Sequence, residues 1–583
     1  GSAERRSYRL MQVLSNSSAR LRTPPRTLQR QQQPHSTALV PVCRRQSHLT
    51  SSRSCFRRRG QLQVLAVQAP DGRPPIEKER DWLRAQLEQR LQQPSRRKLR
   101  RTPFPEEPPR KSKVVDAPPR DVHNHIETRT RRVLRTVGEA EGMDLIKMLE
   151  VSEKFWAKMK AQKHEPWKKG PTVVSRHHGR SFREGQGQDD DETFTGSPEF
   201  DVCVCGGTLG VIMALALQKR GQRVCVIERR AVQGRIQEWN SSRHEVSVLV
   251  RMGLLTEEEL ESCIVSEWKH ARCGFKGMSK DIWVDDCLNI GVSPQKLIDI
   301  VRDKFEEGGG VILEGTTFRK ADVYDDGAVL HCAQKAERSP GDVDIQDIAL
   351  ESAGRRTVPL RSAKKASSRS LSISTRLVVD CMGHWSPIVK QTRGGSKPDG
   401  VCMVVGGCAE GPFPSNDTSD LLYTFKDAEN DMQLFWEAFP AADGRTTYMF
   451  SYTDAEEERP TIESFLDKYF EQVSEYQGVD FEDLKFKRVM FGVAPCYQDS
   501  PLKTEHDRII QVGDSSASQS PLSFGGFGNL IRHMERLVTG MDESLRQECV
   551  NYRALRLLQP YLPALSCAWL FQRSMSLRCV FPD

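Results

Sequence analysis

Cys205-Gly206-Gly207-Thr208-Leu209-Gly210 follows an apolar run of strand length, Asp201–Cys205, and Leu209–Arg220 then carries apolar residues at helical spacing up to Gly221. A second apolar run, Arg223–Ile227, closes on Glu228. Strand, glycine turn, helix and strand make a βαβ unit of about 30 residues, the size of a dinucleotide fingerprint. Gly207 would let the backbone approach a pyrophosphate, and Gly210 would let the helix lie on the first strand. The helix N-terminus offers N–H groups and a positive dipole end to phosphates. Glu228 is spaced to accept hydrogen bonds from a ribose. Cys205 stands where G-x-G-x-x-G has its first glycine. The fingerprint is therefore incomplete, and an α/β unit without a nucleotide shares this pattern.

Three further stretches carry candidate chemistry. Arg376–Gly383, RLVVDCMG, is a strand ending on Asp380 with a tight turn at Gly383, and His384 beside it reads as a loop residue. Arg508–Asp514, RIIQVGD, is a strand ending on an acid. Gly525-Gly526-Phe527-Gly528 then opens a helix over Leu530–Thr539. That is a second place where backbone N–H groups would face a ligand, although Asp514 also suits an ordinary helix cap or turn. In Phe435-Trp436-Glu437-Ala438-Phe439-Pro440 an acid lies among aromatics. Desolvation would keep such a carboxyl neutral, as an acid catalyst requires. In the alternative reading Trp436 and Phe439 are sheet core and Glu437 faces solvent. The 16 cysteines include no C-x-x-C pair and no Cys/His spacing suited to zinc, so no metal site is expected. Cys203, Cys205 and Cys225 read as small apolar strand residues, reduced in an intracellular compartment.

The 583 residues are 37% apolar and 28% charged, more polar than an average domain, so part of the chain is expected to be disordered. Residues 1–70 hold thirteen arginines, no lysine and one acid, which more than accounts for the net charge of +8. The remainder has no basic excess, which argues against nucleic-acid binding. This leader suits a chloroplast transit peptide, or alternatively a mitochondrial one; a basic tail that binds nucleic acid or anionic lipid is the competing reading. Residues 71–199 read as a charged extension with helical segments. The longest, 121–163, offers a surface to the main domain or to a protein partner through 121–165. Strand-like runs at Val401–Gly407, Leu421–Phe425, Met432–Trp436 and Thr446–Tyr452 predict a mainly antiparallel sheet. Helices are expected over Val246–Leu255, Glu257–Glu267, Val292–Glu307 and Ile462–Tyr476, and strands at Ile282–Val284, Val311–Leu313 and Val323–Cys332. No apolar run reaches the length of a membrane span, leaving a soluble protein or peripheral membrane association.

The fingerprint, the Arg376–Gly383 strand-turn and the Arg508–Gly528 segment occur in the order found in two-domain flavoproteins built like aromatic hydroxylases. The chain resembles, within these, the geranylgeranyl reductase and lycopene cyclase group, in particular a plastid flavoprotein branch with CGGTLG and SFGGFG signatures. The resemblance covers roughly Phe200 to Ser576. It implies an α/β fold in which a Rossmann-like FAD-binding domain is interleaved with a mainly antiparallel substrate-domain sheet. The FAD-binding parts would be 200–400 (with an exposed insertion at about 333–375) and 501–545. The substrate sheet would be 401–500, and 546–583 a helical segment shorter than the family's. By resemblance Gly206, Gly207, Thr208, Gly210, Glu228 and Arg229 hold the ADP half of FAD. Asp514, with Gly513, takes the ribityl chain. Pro521, Gly525, Gly526 and Gly528 bring a helix N-terminus to the flavin pyrimidine. Asp380 and Gly383 match a strand-turn near the cofactor, with Cys381-Met382 in place of the usual small residues. Trp436 and Glu437 occupy the place of the reductases' aromatic motif and the cyclases' acidic motif. The implied activity is an FAD-dependent reductase or monooxygenase for an apolar plastid metabolite such as a prenyl lipid, quinone or carotenoid, with NAD(P)H or ferredoxin as electron donor. A non-redox flavin-dependent cyclase or isomerase and a flavoprotein scaffold for complex assembly are the alternatives.

Overall fold

Thr128 and Gly142 bracket the first described helix of the computed structural model. The Thr128 side chain caps the N-terminus, and Gly142, at φ 68°, closes the C-terminus. This helix, α1 (Arg129–Glu141), is followed by α2 (Leu145–Lys160) and a short strand, β1 (Val174–Arg176). The structure describes residues 127–182, 197–335, 368–497, 505–517, 526–558 and 572–577, all within the unit Arg120–Asp583. Expectations for 1–126 and for most of the 333–375 insertion lie outside the described residues.

The βαβ unit forms as its spacing predicts. β2 (Phe200–Cys205) and β3 (Val224–Ile227) pair in parallel from Val202↔Val224 to Cys205↔Ile227, joined by α3 (Gly210–Gln218). β2, β3 and α3 are apolar nearly throughout because both faces of a parallel sheet are covered. There follow β4 (Trp239–Ser241), α4 (Arg243–Arg251), α5 (Glu257–Cys263), β5 (Ile264–Glu267), β6 (His270–Gly274), β7 (Ile282–Asp285) and β8 (Ile290–Val292). α6 (Pro294–Glu307) opens on a Ser293 cap with Pro294 in its first turn. β9 (Val311–Leu313), β10 (Thr316–Val323), β11 (Ala328–Lys335) and β12 (Ser368–Asp380) lead to a 3₁₀ turn, Gly383–Trp385, and α7 (Pro387–Thr392). The second half contains β13 (Gly400–Glu410), β14 (Ser419–Tyr423), β15 (Phe435–Ala441), β16 (Gly444–Thr453), α8 (Ile462–Gln477), β17 (Lys485–Cys496) and β18 (Ile509–Gln511). A 3₁₀ turn at Gly513–Ser516, α9 (Gly526–Arg546) and α10 (Tyr552–Leu558) complete it.

The architecture is α/β, with two interleaved main sheets. The first runs β1-β10-β11-β12-β2-β3-β9, with β18 also on β12. β12 serves both characters of this sheet: its first part pairs antiparallel with β11, and its last residues pair parallel with β2 and β18. The second sheet runs β17-β13-β16-β15-β14-β6-β7 and is mainly antiparallel; β4, β8 and β5 form a small third sheet.

Three expectations change, and of the two surfaces expected to meet the extension's helices the main domain is the one found. Residues 264–267 leave the predicted helix as strand β5, because they pair with β8. The single strand expected over 323–332 is a hairpin, its turn closed by the Tyr324 N–H donating to the Gly327 carbonyl at 2.8 Å. The strand expected at Ile282–Val284, within the stretch assigned to the first domain, is one arm of a β6–β7 hairpin that joins the second sheet through parallel pairing of β6 with β14. The helical part of the charged extension belongs to the folded body. Leu134, Leu149 and Trp156 share a core with Trp436, Phe465 and Tyr469, and the Trp156 indole donates to the Pro460 carbonyl at 2.9 Å. Among the described residues no helix is long and apolar enough to cross a membrane, and no cluster of three or more His, Cys, Asp or Glu suits a metal ion.

Candidate functional site

Four neighbouring strands, β3, β2, β12 and β18, end together, and the turns that follow them carry most of the residues singled out in the sequence. From β2 the chain passes through α3 to β3 on one side, while β12 lies on the other. Crevices outside the carboxyl ends of strands at such a switch are where open α/β sheets bind ligands.

Gly206 has φ 101°, and a Cβ there would sit 2.5 Å from the Cys381 carbonyl oxygen, so the turns after β2 and β12 touch backbone to backbone. At Gly207 a Cβ would lie 2.6 Å from Val232 Cγ2, and at Gly210 one would lie 2.7 Å from Val204 Cγ1. The missing side chain at Gly207 lets the turn close on the stretch after β3, and that at Gly210 lets α3 lie close on β2. The Gly207 N–H donates to Glu228 Oε2 at 2.7 Å and the Arg230 N–H to Oε1 at 3.1 Å, which points the carboxylate across the turn. Thr208 lies in this turn with its hydroxyl 3.5 Å from the Gln233 carbonyl, and half-buried Arg229 follows Glu228. Cys205 causes no obstruction. Its thiol is buried with Ile227 and Cys332, on the sheet face away from Val204 and α3, and Gly206 supplies the positive φ.

Asp380 differs from its expected role. It is fully buried, and its oxygens accept from the Met382 N–H at 3.0 Å, the Ser386 hydroxyl at 2.6 Å and the Ser515 hydroxyl at 3.3 Å. Burial pushes its pKa up to about 6, with the Ser386, Met382 and Ser515 hydrogen bonds opposing. Asp380 thus fastens the turn after β12 to the turn after β18 and has no oxygen turned to a ligand. The Gly383 N–H donates to the Ser515 hydroxyl at 2.7 Å, and the space where a Gly383 Cβ would stand is open. Ser386 and Ser515 escaped the sequence reading because their partner is over a hundred residues away in one case and hidden in a turn in the other.

Asp514 behaves differently. Its Oδ1 is enclosed yet has no hydrogen-bond partner among the described residues. A side chain on Gly526 would collide with that carboxylate, so the glycine lets the start of α9 close on Asp514. The first N–H groups of a helix lack intrahelical partners. A Gly528 Cβ would come no nearer than 4.0 Å to Glu245 Oε2, and Gly513, at φ 66°, has open space beside it. His384 Nε2 lies 4.0 Å from Asp514 Oδ2; burial lowers the imidazole pKa, opposed by the Asp514 charge. Pro521 and Gly525 lie outside the described residues.

Strand alternation separates the two aromatic-motif residues. Trp436 faces the helices, with ring centroids 4.6 Å from Tyr476 and 5.8 Å from Tyr469, so it is core of the helix-covered face and is withdrawn as a catalytic residue. Glu437 points to the opposite face, across from Tyr448. On that face the loop after Glu228 is docked: Gln237 donates to the Thr446 hydroxyl at 3.0 Å and accepts from Arg488 Nε at 3.1 Å, and the Ala442 N–H donates to Glu238 at 3.3 Å. The face carrying Glu437 is therefore tied to the strand-end site, a link that no local sequence signal announces.

No family model and no curated protein matches this chain. Among solved structures it is similar to a geranylgeranyl bacteriochlorophyll reductase-like protein from Thermoplasma acidophilum, at 13% identity and TM-score 0.46, over 65% of this chain and 88% of that chain. It is also similar to the flavin-dependent halogenase CmlS (16% identity, TM-score 0.45, covering 66% of this chain and 68% of that chain). A third likeness is to the p-nitrophenol 4-monooxygenase PnpA from Pseudomonas putida (13% identity, TM-score 0.43, covering 64% and 89%). Likenesses this distant concern the arrangement of elements alone.

Proposed function

We propose that the chain is an FAD-dependent oxidoreductase, of reductase or monooxygenase type, acting on an apolar metabolite such as a prenyl lipid, quinone or carotenoid. The observation that carries this reading is the enclosed Oδ1 of Asp514, without a hydrogen-bond partner among the described residues, set at the glycine-opened start of α9 and on the same strand-end row as Glu228. A buried acceptor without a donor costs stability, and a ligand hydroxyl would satisfy it. The residues present fit FAD. Gly207, Gly210 and Glu228 suit the adenosine and pyrophosphate end, Asp514 the ribityl hydroxyls, and the first N–H groups of α9 the pyrimidine. Bound FAD would supply the hydride or oxygen chemistry. The helix end would stabilise negative charge beside it, and the Glu437 face would orient the substrate. The sequence holds one dinucleotide fingerprint, so NAD(P)H or ferredoxin would dock transiently as donor. The arginine-rich leader suits a plastid or a mitochondrial address, the resemblance to the plastid branch supports the first, and a peripheral membrane position there would suit an apolar substrate.

A second reading has one observation of its own. Burial raises the Glu437 pKa well above the usual carboxyl range, which supports acid-driven cyclisation or isomerisation with reduced flavin. Purified full-length protein distinguishes them. A flavin absorption spectrum, with FAD identified by mass after release, is expected in both cases. Oxidation of reduced nicotinamide on addition of substrate marks the first, and a product of unchanged mass marks the second. Protein that is colourless and does not take up added FAD would overturn the cofactor assignment.

A further inference from the structure

Cross-strand register places a defined set of residues on the Glu437 side of the second sheet. Glu437 stands opposite Tyr448, which stands opposite Gly406 and then Met490; the neighbouring row is Phe435, Phe450, Val404 and Gly492. Residues directly opposite share a face. Phe435, Phe450 and Tyr452 are buried in one apolar cluster with Cys402 and Cys496. At Gly492, at the far end of this row, a Cβ would meet no atom of the described residues within 4 Å, while Phe275 and Met575 pack against the aromatic floor.

Glu437 is only 6% exposed, and its carboxyl has no hydrogen bond or ion pair among the described residues. The groups that feel its charge are Cys273, Cys402, Tyr448 and Tyr452, none of them a cation. Arg235, which acts on Tyr448, is already held by the Gln237 and Glu238 carbonyls at 3.0 Å each. A buried carboxyl without a cation or donors is kept neutral by desolvation, and a neutral carboxylic acid has one O–H to donate.

We propose that Glu437 donates a hydrogen bond to a carbonyl-type oxygen of an otherwise apolar substrate, which makes this face a quinone or enone site rather than a hydrocarbon site. The assignment rests on the reading of that face as the substrate side of a flavoenzyme. An unfunctionalised polyene has no acceptor to offer the acid. A cationic amine would have to be desolvated against an aromatic floor and would turn Glu437 into the charged member of a buried pair.

The test uses the full-length protein as isolated and three probes of one ring size: menadione, methylnaphthalene and naphthylmethylammonium. Equilibrium dialysis reads affinity independently of any flavin. Infrared difference spectra read the protonated carboxyl band, which is assigned by its loss in Glu437→Gln. Menadione is expected to bind about tenfold more tightly than methylnaphthalene, the effect of one buried donor finding its acceptor, and to shift the band to lower frequency. Glu437→Leu is expected to bring the two affinities together, and Glu437→Gln, which keeps an N–H donor, to preserve most of the preference. Circular dichroism establishes that both variants fold. Equal binding of menadione and methylnaphthalene, tightest binding of the ammonium probe, no binding of any probe, or an unchanged preference in the Leu variant would each overturn the proposal. A Glu437-dependent menadione preference in protein that takes up no FAD would defeat the flavoenzyme reading and leave the site standing. FAD uptake without that preference would do the reverse.

Discussion

Phe155 of α2 packs on Trp385 in the turn after β12, with ring centroids 5.2 Å apart and an interplanar angle of 47°. Trp385 is one residue from His384 and two from Gly383, so a helix from the charged N-terminal stretch supports a turn of the candidate flavin site. Phe155→Ala is expected to lower stability by about 2 kcal/mol, less than a fully buried Phe→Ala because the ring is half-buried. It is also expected to weaken FAD binding several-fold. Denaturant unfolding and FAD titration measure the two effects. Loss of stability with unchanged FAD affinity would show that α2 does not support the site.

Asp514→Ala should separate stability from binding. Without ligand the substitution removes a buried acceptor that lacks a donor among the described residues. Its unfolding free energy is expected to equal or exceed the parent's by about 1 kcal/mol. FAD affinity is expected to fall by about tenfold or more, from loss of the acceptor proposed for a ribityl hydroxyl. An ordinary cap would give the opposite sign in the first measurement.

Asp380 gives the fold a dependence on pH near neutrality. Its pKa rises from 3.8 to about 6 on burial, so the folded chain keeps the proton where the unfolded chain has released it. Stability from this group is complete below about pH 4 and is lost as pH rises through about 6. Asp380→Asn is expected to flatten the stability profile between these values, as thermal unfolding across a pH series would show.

Trp436→Phe is expected to cost about 1–2 kcal/mol of stability through lost packing on Tyr469 and Tyr476. Menadione binding to the Glu437 face should be unchanged, since the two residues point to opposite sides of β15. A shift in probe affinity comparable to that of Glu437→Leu would contradict the assignment of faces.

What was legible in the chain follows the range over which each feature is specified. The βαβ unit is written in consecutive residues: Gly206 to Gly210 set the turn, apolar spacing sets α3, and Glu228 ends β3. α6 was equally plain, because Ser293-Pro294 is a local start signal. The alternation of Trp436 and Glu437 follows from strand geometry, but which of the two meets α8 depends on a helix that starts 25 residues on, at Ile462. The place of β6 and β7 in the second sheet is not legible locally, because the partner β14 lies more than a hundred residues away and pairs in parallel, with no turn signal to declare it. The packing of Leu134, Leu149 and Trp156 under the second sheet has the same cause: an amphipathic helix shows that it needs a partner surface, not which one.

The backbone contact between Gly206 and Cys381 has a thermodynamic consequence. Because no side chain separates these two turns, ordering one restricts the other, and the proposed dinucleotide would meet them as one cooperative unit. ADP alone should therefore pre-order the turn carrying Gly383 and His384, so that riboflavin would bind ADP-saturated protein more tightly than the free chain, and ADP would gain by the same factor from riboflavin.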